Sequence, residues 1–135
     1  MRLVLDTNVV ISAFMAQGVP YELMQIVLRK HISIYTSDEL LDELKVVLNR
    51  KKIASKLMQL QRHPDEIMRK FARISSAISA PPPYPQIARD PNDDMVLACA
   101  IAAQANAIVT GDNDLLDLKQ HHRIQILRPR QRYKN

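Results

Sequence analysis

Short apolar runs alternate with amphipathic stretches along this chain, and the alternation predicts a sheet covered by helices. The apolar runs lie at 2–5, 32–36, 107–110 and 124–127. Runs of this length without regular polar positions are typical of strands that are buried on both faces. A chain that alternates strands with helices favours right-handed crossovers and a parallel sheet. We therefore expect an α/β fold.

The segments between these runs carry apolar residues at helical spacing. Asn8 is a candidate N-cap for the first helix, and Ser37 or Asp38 for the helix that ends near Asn49. Further helices are predicted over 20–30, over 52–79 with a break near His63 and Pro64, over 95–105, and through 115–118. The helix over 95–105 is apolar on nearly all sides, so it should lie buried against the sheet.

The proline-rich segment 81–85 forces extended backbone and predicts a stiff return path across the surface. The remainder of the chain beyond it is too short to form a domain, so we expect residues 1–135 to form one domain. One cysteine, Cys99, excludes an internal disulfide. No apolar run approaches the roughly 20 residues of a membrane span, and Asp6 and Asn8 interrupt the only apolar stretch near the amino terminus. These features predict a soluble, intracellular protein.

The formal net charge of +5 is unevenly distributed. Residues 45–73 hold nine Lys and Arg against two acids, and the chain from Lys119 onward holds six basic residues and no acid. Such basic surfaces favour polyanions, because binding neutralises phosphates and releases counterions. Solvated helix faces are the alternative explanation, and at this point both stay open.

Several acids are placed to meet at one edge of the predicted sheet. Asp6 follows the first strand and Asp112 follows the strand at 107–110, so both leave the carboxyl ends of parallel strands, where ligands bind in such folds. Asp94 lies in the first turn of the buried helix, and Glu43 lies near the apolar face of its own helix. Each acid also has an ordinary explanation as a turn, a cap or a solvated helix residue.

Carboxylates that crowd at one edge repel one another unless a cation joins them. Mg²⁺ and Mn²⁺ prefer carboxylate and water oxygens. The cysteine and histidines lack the spacing of a zinc site, and the pair His121-His122 is predicted to lie in a solvated loop. A carboxylate-held metal ion beside a basic surface suits phosphodiester hydrolysis.

Four stretches resemble, in order, the motifs of PIN-domain ribonucleases, and most closely those of the toxins of bacterial toxin–antitoxin pairs. They are Leu3-Val4-Leu5-Asp6-Thr7-Asn8-Val9, Ser37-Asp38-Glu39-Leu40-Leu41-Asp42-Glu43-Leu44, Asp90-Pro91-Asn92-Asp93-Asp94 and Val109-Thr110-Gly111-Asp112-Asn113-Asp114-Leu115. The likeness extends over nearly the whole chain. Any one motif alone would be weak, but the ordered set is specific.

The resemblance implies a three-layer α/β/α fold with a central parallel sheet of four to five strands, and Mg²⁺- or Mn²⁺-dependent endoribonuclease activity. It assigns the roles of metal ligands and water activators to Asp6, Glu43, Asp94 and Asp112, and a further metal contact to Asp114. It places Thr7, Asn8 and Thr110 where the family uses polar side chains to orient carboxylates or waters. Glu39 could replace Glu43 in another helix register, and Asp90 and Asp93 are expected to shape the loop.

The resemblance also implies a cytoplasmic homodimer that acts on RNA and is inhibited by a small antitoxin, which presents a basic side chain to the acids. We predict that the basic residues after the second helix motif contact RNA, namely Arg50, Lys51, Lys52 and Lys56. Membership alone leaves open an RNA-processing nuclease that is not a toxin. It also leaves open a non-catalytic module that binds RNA or a protein partner.

Two other classes of enzyme fit the sequence poorly. A haloacid-dehalogenase-like phosphotransferase would need a second aspartate where Asn8 stands, and a phosphate-binding lysine after a later strand. A nucleotide-binding fold would need a glycine-rich phosphate loop, and none is present.

Overall fold

The computed structural model describes residues 1–15, 31–80, 88 and 90–129. The predicted helix over 20–30 and the proline segment 81–85 lie outside the described residues, as does Arg130 in the predicted basic turn at the end of the chain. Within the described ranges, no helix combines the length and apolar character needed to cross a membrane.

One six-stranded sheet forms the centre of the fold, in the order β3-β2-β1-β4-β6-β5. Neighbouring strands run parallel, except that β5 runs antiparallel to β6. The strands are β1 (Arg2–Leu5), β2 (Ser33–Ser37), β3 (Ser75–Ile78), β4 (Ala107–Val109), β5 (Gln120–His121) and β6 (Ile124–Leu127). An antiparallel edge strand on a parallel sheet is common in α/β folds.

Six helices are described between and beside these strands. They are α1 (Thr7–Met15), α2 (Asp38–Leu48), α3 (Lys51–Gln59), α4 (Pro64–Ile74), α5 (Pro91–Ala102) and α6 (Asn113–Leu116). Ser37 caps α2 by accepting a hydrogen bond from the Leu40 N–H, and His63 and Pro64 begin α4. The predicted break before Pro64 is confirmed, because proline is accommodated in the first turn of a helix.

The two faces of the sheet bury separate apolar clusters. Successive strand residues point to opposite faces, so Val4 packs with α5 and α6 residues such as Leu97 and Leu115, whereas Leu5 packs with α1, α2 and α4 residues such as Phe14 and Phe71. The result is the three-layer α/β/α arrangement that was predicted, although the sheet has six strands rather than four to five because two short edge strands join it. Sheets covered on both faces need strands without polar alternation, which is what the runs in the sequence show.

Two strands and one cap differ from the prediction. The helix predicted to continue to residue 79 ends at Ile74, because 75–78 pair with β2 and form the edge strand β3. His121 lies half-buried in β5 rather than in a solvated loop, although His122 is exposed in the following turn. Helix α1 already begins at Thr7, so Asn8 lies inside the helix and does not cap it.

The strand order creates a crevice between β1 and β4. From β1 the chain adds β2 and β3 on one side, and it then crosses to add β4 and β6 on the other. The connections that follow two such neighbouring strands run to opposite sides, which leaves a crevice between them. In α/β folds, ligands bind in this crevice, beyond the carboxyl ends of the strands. Asp6 and Thr110 are the residues that directly follow β1 and β4.

Candidate metal centre

Asp6 is held in place by hydrogen bonds from both strands of the crevice. Its backbone N–H donates to the Val109 carbonyl (2.9 Å), which continues the β1–β4 ladder by one residue. Its side chain accepts from the Thr7 N–H at Oδ1 (2.7 Å) and from the Thr110 hydroxyl at Oδ2 (2.8 Å). The residue is 7% exposed. It is therefore a buried acid in a defined orientation at the mouth of the crevice.

Thr7 connects Asp6 to the second predicted acid. Its hydroxyl donates to Glu43 Oε2 (2.8 Å), and its side chain is itself buried in the first turn of α1. Glu43 comes from the middle of α2 and is half-buried, as predicted from its neighbours along the helix. Thr7 thus fixes the distance between the acids that β1 and α2 supply.

Asp112 and Asp114 lie in the turn after β4, at the start of α6. Thr110 Oγ1 accepts from the Asp112 N–H (3.0 Å), and Asp112 Oδ1 caps α6 by accepting from the Asp114 N–H (2.8 Å). One carboxylate oxygen each from Asp93, Asp112 and Asp114 lie within 4.8 Å of one another. A single cation with oxygen ligands can bridge such a group.

The structure brings Asp93, rather than the predicted Asp94, to the other acids. Asp94 is buried, but its Oδ1 accepts from the Ala88 N–H (2.9 Å), and it does not line the crevice. Asp93 lines the crevice, is 5% exposed, and its Oδ2 is buried with no hydrogen-bond partner among the described residues. Asp93 was expected only to shape the loop, and that expectation does not fit its position.

Helical register explains which of the two adjacent acids faces the crevice. Asp93 precedes Val96, Leu97 and Ala100 by three, four and seven residues, and these three side chains are at most 1% exposed. Asp94 precedes Ile101 by seven, and Ile101 is 39% exposed. Residues at these spacings share one side of a helix, so Asp93 continues the most buried stripe of α5. In the sequence both acids precede apolar residues at these spacings, so the distinction comes from the burial seen in the structure.

A cavity of about 190 Å³ lies among the acids. Most of its lining is acidic or amide-bearing, and the complete set is Asp6, Thr7, Asn8, Glu43, Val47, Arg50, Asp90, Asn92, Asp93 and Asp112. Asp90, which was also expected only to shape the loop, both lines this cavity and caps α5 by accepting from the Asn92 N–H (3.0 Å). Glu39, the alternative to Glu43, is not in this set. Thr110 supports the lining from behind, because it is fully buried and bonds to Asp6.

Burial and mutual repulsion make ionisation of these carboxyl groups unfavourable. Desolvation raises the pKa of Asp93 to about 7, and the nearby charges of Asp112, Asp6 and Asp90 add to the effect. Burial also raises the pKa values of Asp6 and Glu43, although the hydroxyl bonds from Thr110 and Thr7 oppose the shift. Threonine donors thus favour the charged form of the acids that they orient.

The donor set fits a hard divalent cation. The donors are carboxylate oxygens, and one of them, Asp93 Oδ2, is buried without a hydrogen-bond partner among the described residues. An ion there would satisfy that oxygen and remove the repulsion that raises the pKa values. Histidine and cysteine are absent from the described lining, so the chemistry favours Mg²⁺ or Mn²⁺ over Zn²⁺.

Basic residues adjoin the acidic cavity on one side. Arg50 precedes α3 and lines the cavity, while Lys51, Lys52 and Lys56 are exposed on α3. The described part of the chain thus places positive charge next to the acids, as the uneven distribution of charge in the sequence suggested. Contact of these residues with RNA stays a prediction.

Comparison with known proteins agrees with the geometry. A family model described as a PIN domain matches residues 2–114, which include β1, all the acids discussed above and the start of α6. No curated protein and no solved structure matches the sequence significantly. The matched region covers most of the 135 residues, and the chain belongs to the PIN-domain family.

Proposed function

We propose that this protein is a metal-dependent endoribonuclease. PIN domains are generally nucleases that act on RNA and typically use divalent metal ions. The observation that carries the proposal is the buried, unpartnered Oδ2 of Asp93 inside a cavity lined by other carboxylates. A structural acid in that position would be costly, because its charge is desolvated and repelled by its neighbours.

Each acid has a role in this proposal. Asp6, Asp93, Asp112 and Asp114 hold the cation, and Asp93 takes the role that the sequence assigned to Asp94. Glu43 lines the same cavity, and its raised pKa suits it to accept a proton from an attacking water. A bound Mg²⁺ or Mn²⁺ would lower the pKa of a water and offset charge on the phosphodiester.

Polar residues hold these acids in defined positions relative to one another. Thr110 orients Asp6 and accepts from the Asp112 backbone, so one hydroxyl connects both strand ends of the cavity. Thr7 connects Asp6 and Glu43 by donating its backbone N–H to Asp6 and its hydroxyl to Glu43. Asn8 and Asn92 line the cavity as well, and their amides can bond to a water or a phosphate oxygen.

A cleavage assay tests the proposal. Wild-type protein and the variants Asp6→Asn, Asp93→Asn and Asp42→Asn are incubated with labelled RNA and Mg²⁺ or Mn²⁺, with and without chelator. Asp42 is the matched control, since it is an exposed acid on α2 next to Glu43 in the sequence. We expect wild type and Asp42→Asn to cleave only with metal, and the other two variants to lose at least about 100-fold in rate.

Equal cleavage by wild type and Asp93→Asn would point to a contaminating nuclease and contradict the proposal. RNA binding by a wild type that never cleaves would favour the alternative of a non-catalytic RNA-binding module. The proposal requires that Asp93→Asn binds RNA with nearly wild-type affinity, because Asp93 then acts in cleavage rather than in RNA binding.

We further propose that the protein is the toxin of a toxin–antitoxin pair, and that it acts in the cytoplasm as a homodimer. The support is the likeness of the four motifs to that subgroup, together with an acidic cavity that a basic side chain of an antitoxin could enter. Induced expression should arrest growth for wild type and not for Asp93→Asn. Growth arrest by both wild type and Asp93→Asn, or by neither protein, would contradict the toxin role. An RNA-processing nuclease would then be the alternative. Light scattering of the purified protein tests the dimer.

A further inference from the structure

We infer that Arg50 contacts the scissile phosphate, as the positive wall of an otherwise acidic cavity. This inference rests on the proposed nuclease function and goes beyond it, because it separates one arginine from the general basic surface. It makes Arg50 a catalytic residue that touches the substrate, whereas Lys51, Lys52 and Lys56 would only attract the strand.

The position of Arg50 at the end of α2 places it beside the acids. Glu43 and Val47 lie four residues apart on α2, and Arg50 follows three residues later, just after α2 ends. Residues four apart share one side of a helix, and Arg50 lies beyond the end of α2 with an extended backbone. All three line the same cavity. Arg50 therefore stands at the end of the wall that begins with Glu43.

The positive charge of Arg50 also favours contact with a phosphate. The described lining holds five acids, namely Asp6, Glu43, Asp90, Asp93 and Asp112, and Arg50 is the one basic residue among them. A phosphodiester carries negative charge and would be repelled by these carboxylates. A cation on the acids offsets part of that repulsion, and a guanidinium beside them can bind a phosphate group through two parallel hydrogen bonds.

The charge of Arg50 opposes the rise in the pKa of Glu43, but no ion pair holds the guanidinium in place in the described structure. None of the ion pairs within the described ranges involves Arg50, and its side chain is exposed. Its backbone serves as the N-cap of α3, yet its side chain makes no capping bond, and the first turn of α3 holds no acid that would compete for it. An exposed arginine that lines a cavity is well placed for a ligand that enters from solvent.

The test compares Arg50→Ala and Arg50→Lys with Arg123→Ala in steady-state cleavage of a labelled RNA. Arg123 is an exposed arginine in the turn before β6, at the opposite edge of the sheet from the acids, so it controls for loss of a positive charge. We expect Arg50→Ala to lower kcat about 10- to 100-fold with KM within about threefold. Arg50→Lys should fall between, because lysine keeps the charge and loses the fork geometry.

A change in KM alone for Arg50→Ala, or an effect no larger than that of Arg123→Ala, would overturn the inference. Equal melting temperatures of the variants confirm that the comparison concerns folded protein. Cleavage by wild type with no dependence on Arg50 would leave the proposed function standing and reject this inference.

A binding measurement keeps the two proposals distinguishable. Calorimetric titration of uridine 5′-monophosphate in the presence of Mg²⁺ requires no cleavage. We expect affinity to fall at least about fivefold in Arg50→Ala and to be unchanged in Arg123→Ala. Loss of affinity in Arg50→Ala with a wild type that cannot cleave would support phosphate contact by Arg50 and contradict the nuclease function. Equal affinity in all three proteins would contradict the contact.

Discussion

A single residue, Asp93, carries most of the chemical argument. It is 5% exposed, its Oδ2 has no partner among the described residues, and its pKa is raised to about 7 by burial and by neighbouring acids. A carboxyl group that must lose a proton in such surroundings weakens the fold unless a cation compensates. Perturbed acids that converge in a cavity are characteristic of functional sites.

The raised pKa of Asp93 makes stability in the absence of metal depend on pH. Because this pKa is about 7 in the folded state and about 4 in the unfolded chain, the folded state holds the extra proton between these values. The stabilisation from that proton is therefore full below about pH 4 and is lost as the pH rises through 7. Chelator-treated Asp93→Asn should be more stable than wild type at pH 8 by up to about 4 kcal/mol, because the pKa of Asp93 is raised by about three units and each unit corresponds to about 1.4 kcal/mol.

At pH 5 the difference in melting temperature should be smaller, because folded wild type still keeps the proton on Asp93 and only the unfolded chain has lost it. Thermal unfolding by circular dichroism in chelator at both pH values measures the difference. A variant that is less stable than wild type at pH 8 would show that Asp93 makes a favourable charged interaction, against this explanation.

The adjacent pair Asp93 and Asp94 also shows where interpretation of the sequence stopped short. Both acids lie in the first turn of α5, and both favour the positive end of the helix dipole, so the local motif does not separate them. Apolar residues follow each acid by three, four and seven positions, so only the burial of these residues in the structure separates the two acids. Asp6, Glu43 and Asp112 line one cavity in the structure, because Asp6 directly follows β1, Asp112 lies in the turn after β4, and Glu43 is half-buried on α2. Their chemical roles stay predictions.

Between elements, Thr110 joins β4, β1 and the turn into α6. Thr110→Val keeps the shape and removes the hydroxyl that donates to Asp6 and accepts from the Asp112 N–H. We expect the free energy of unfolding to fall by about 1–3 kcal/mol. We expect affinity for Mn²⁺ to fall about 10- to 100-fold, since an oriented ligand is lost.

Thr36→Val is the matched control, because Thr36 is buried in β2 and does not line the cavity. Denaturant unfolding and calorimetry with Mn²⁺ separate the two effects. If Thr110→Val bound Mn²⁺ like wild type, the orienting role of the hydroxyl would be rejected, whatever happened to stability.

Arg62 links helices α1 and α4, which cover the same face of the sheet. It lies between α3 and α4, and its guanidinium donates to the Phe14 carbonyl at the end of α1 and to Glu66 Oε1 (2.8 Å). Arg62→Ala should destabilise the protein by about 1–3 kcal/mol, since a partly buried carbonyl and a carboxylate lose a charged donor. The exposed Arg69 on α4 offers the control Arg69→Ala. Equal unfolding midpoints in urea for the two variants would contradict the role of Arg62.

The elements that escaped prediction are the two edge strands. The apolar spacing of α4 continues through Ile78, so nothing local distinguishes the end of the helix from the start of β3. The tertiary structure decides where the helix ends, because the N–H and carbonyl groups along the edge of β2 need hydrogen-bond partners, and residues 75–78 supply them. Strand β5 has only two residues, and it forms because the turn before β6 folds back on it. Central strands carry their own signal, whereas edge strands depend on their neighbours.

At the scale of the whole molecule, the described residues place the acidic cavity next to Arg50 at the start of the basic helix α3. The acids lie at the crevice between β1 and β4, and the helix α3 beside it carries exposed Lys51, Lys52 and Lys56. Counting charge along the sequence indicated this sorting, but only the fold shows that the two regions adjoin. A protein that must bring RNA to a metal-binding acid cluster needs this arrangement, because the acids alone would repel the strand.

The salt dependence of RNA binding tests the basic side. Replacing Lys51, Lys52 and Lys56 together by alanine should weaken binding and lower the slope of log K against log salt by about 2, since single strands release about 0.7 counterion per contact. Fluorescence anisotropy at several salt concentrations measures the slope, with the background variant Asp93→Asn used to prevent cleavage. An unchanged slope would place the RNA path elsewhere on the surface.

The proposed function requires that acids from separate elements form one site for a divalent cation. Calorimetric titration of Mn²⁺ into the chelator-stripped wild type, Asp93→Asn and Asp42→Asn measures this binding without any need for cleavage. We predict saturable binding by wild type and by Asp42→Asn, and a loss of at least about tenfold in affinity for Asp93→Asn. Absence of Mn²⁺ binding by the folded wild type, or the same affinity in all three proteins, would contradict a shared cation site.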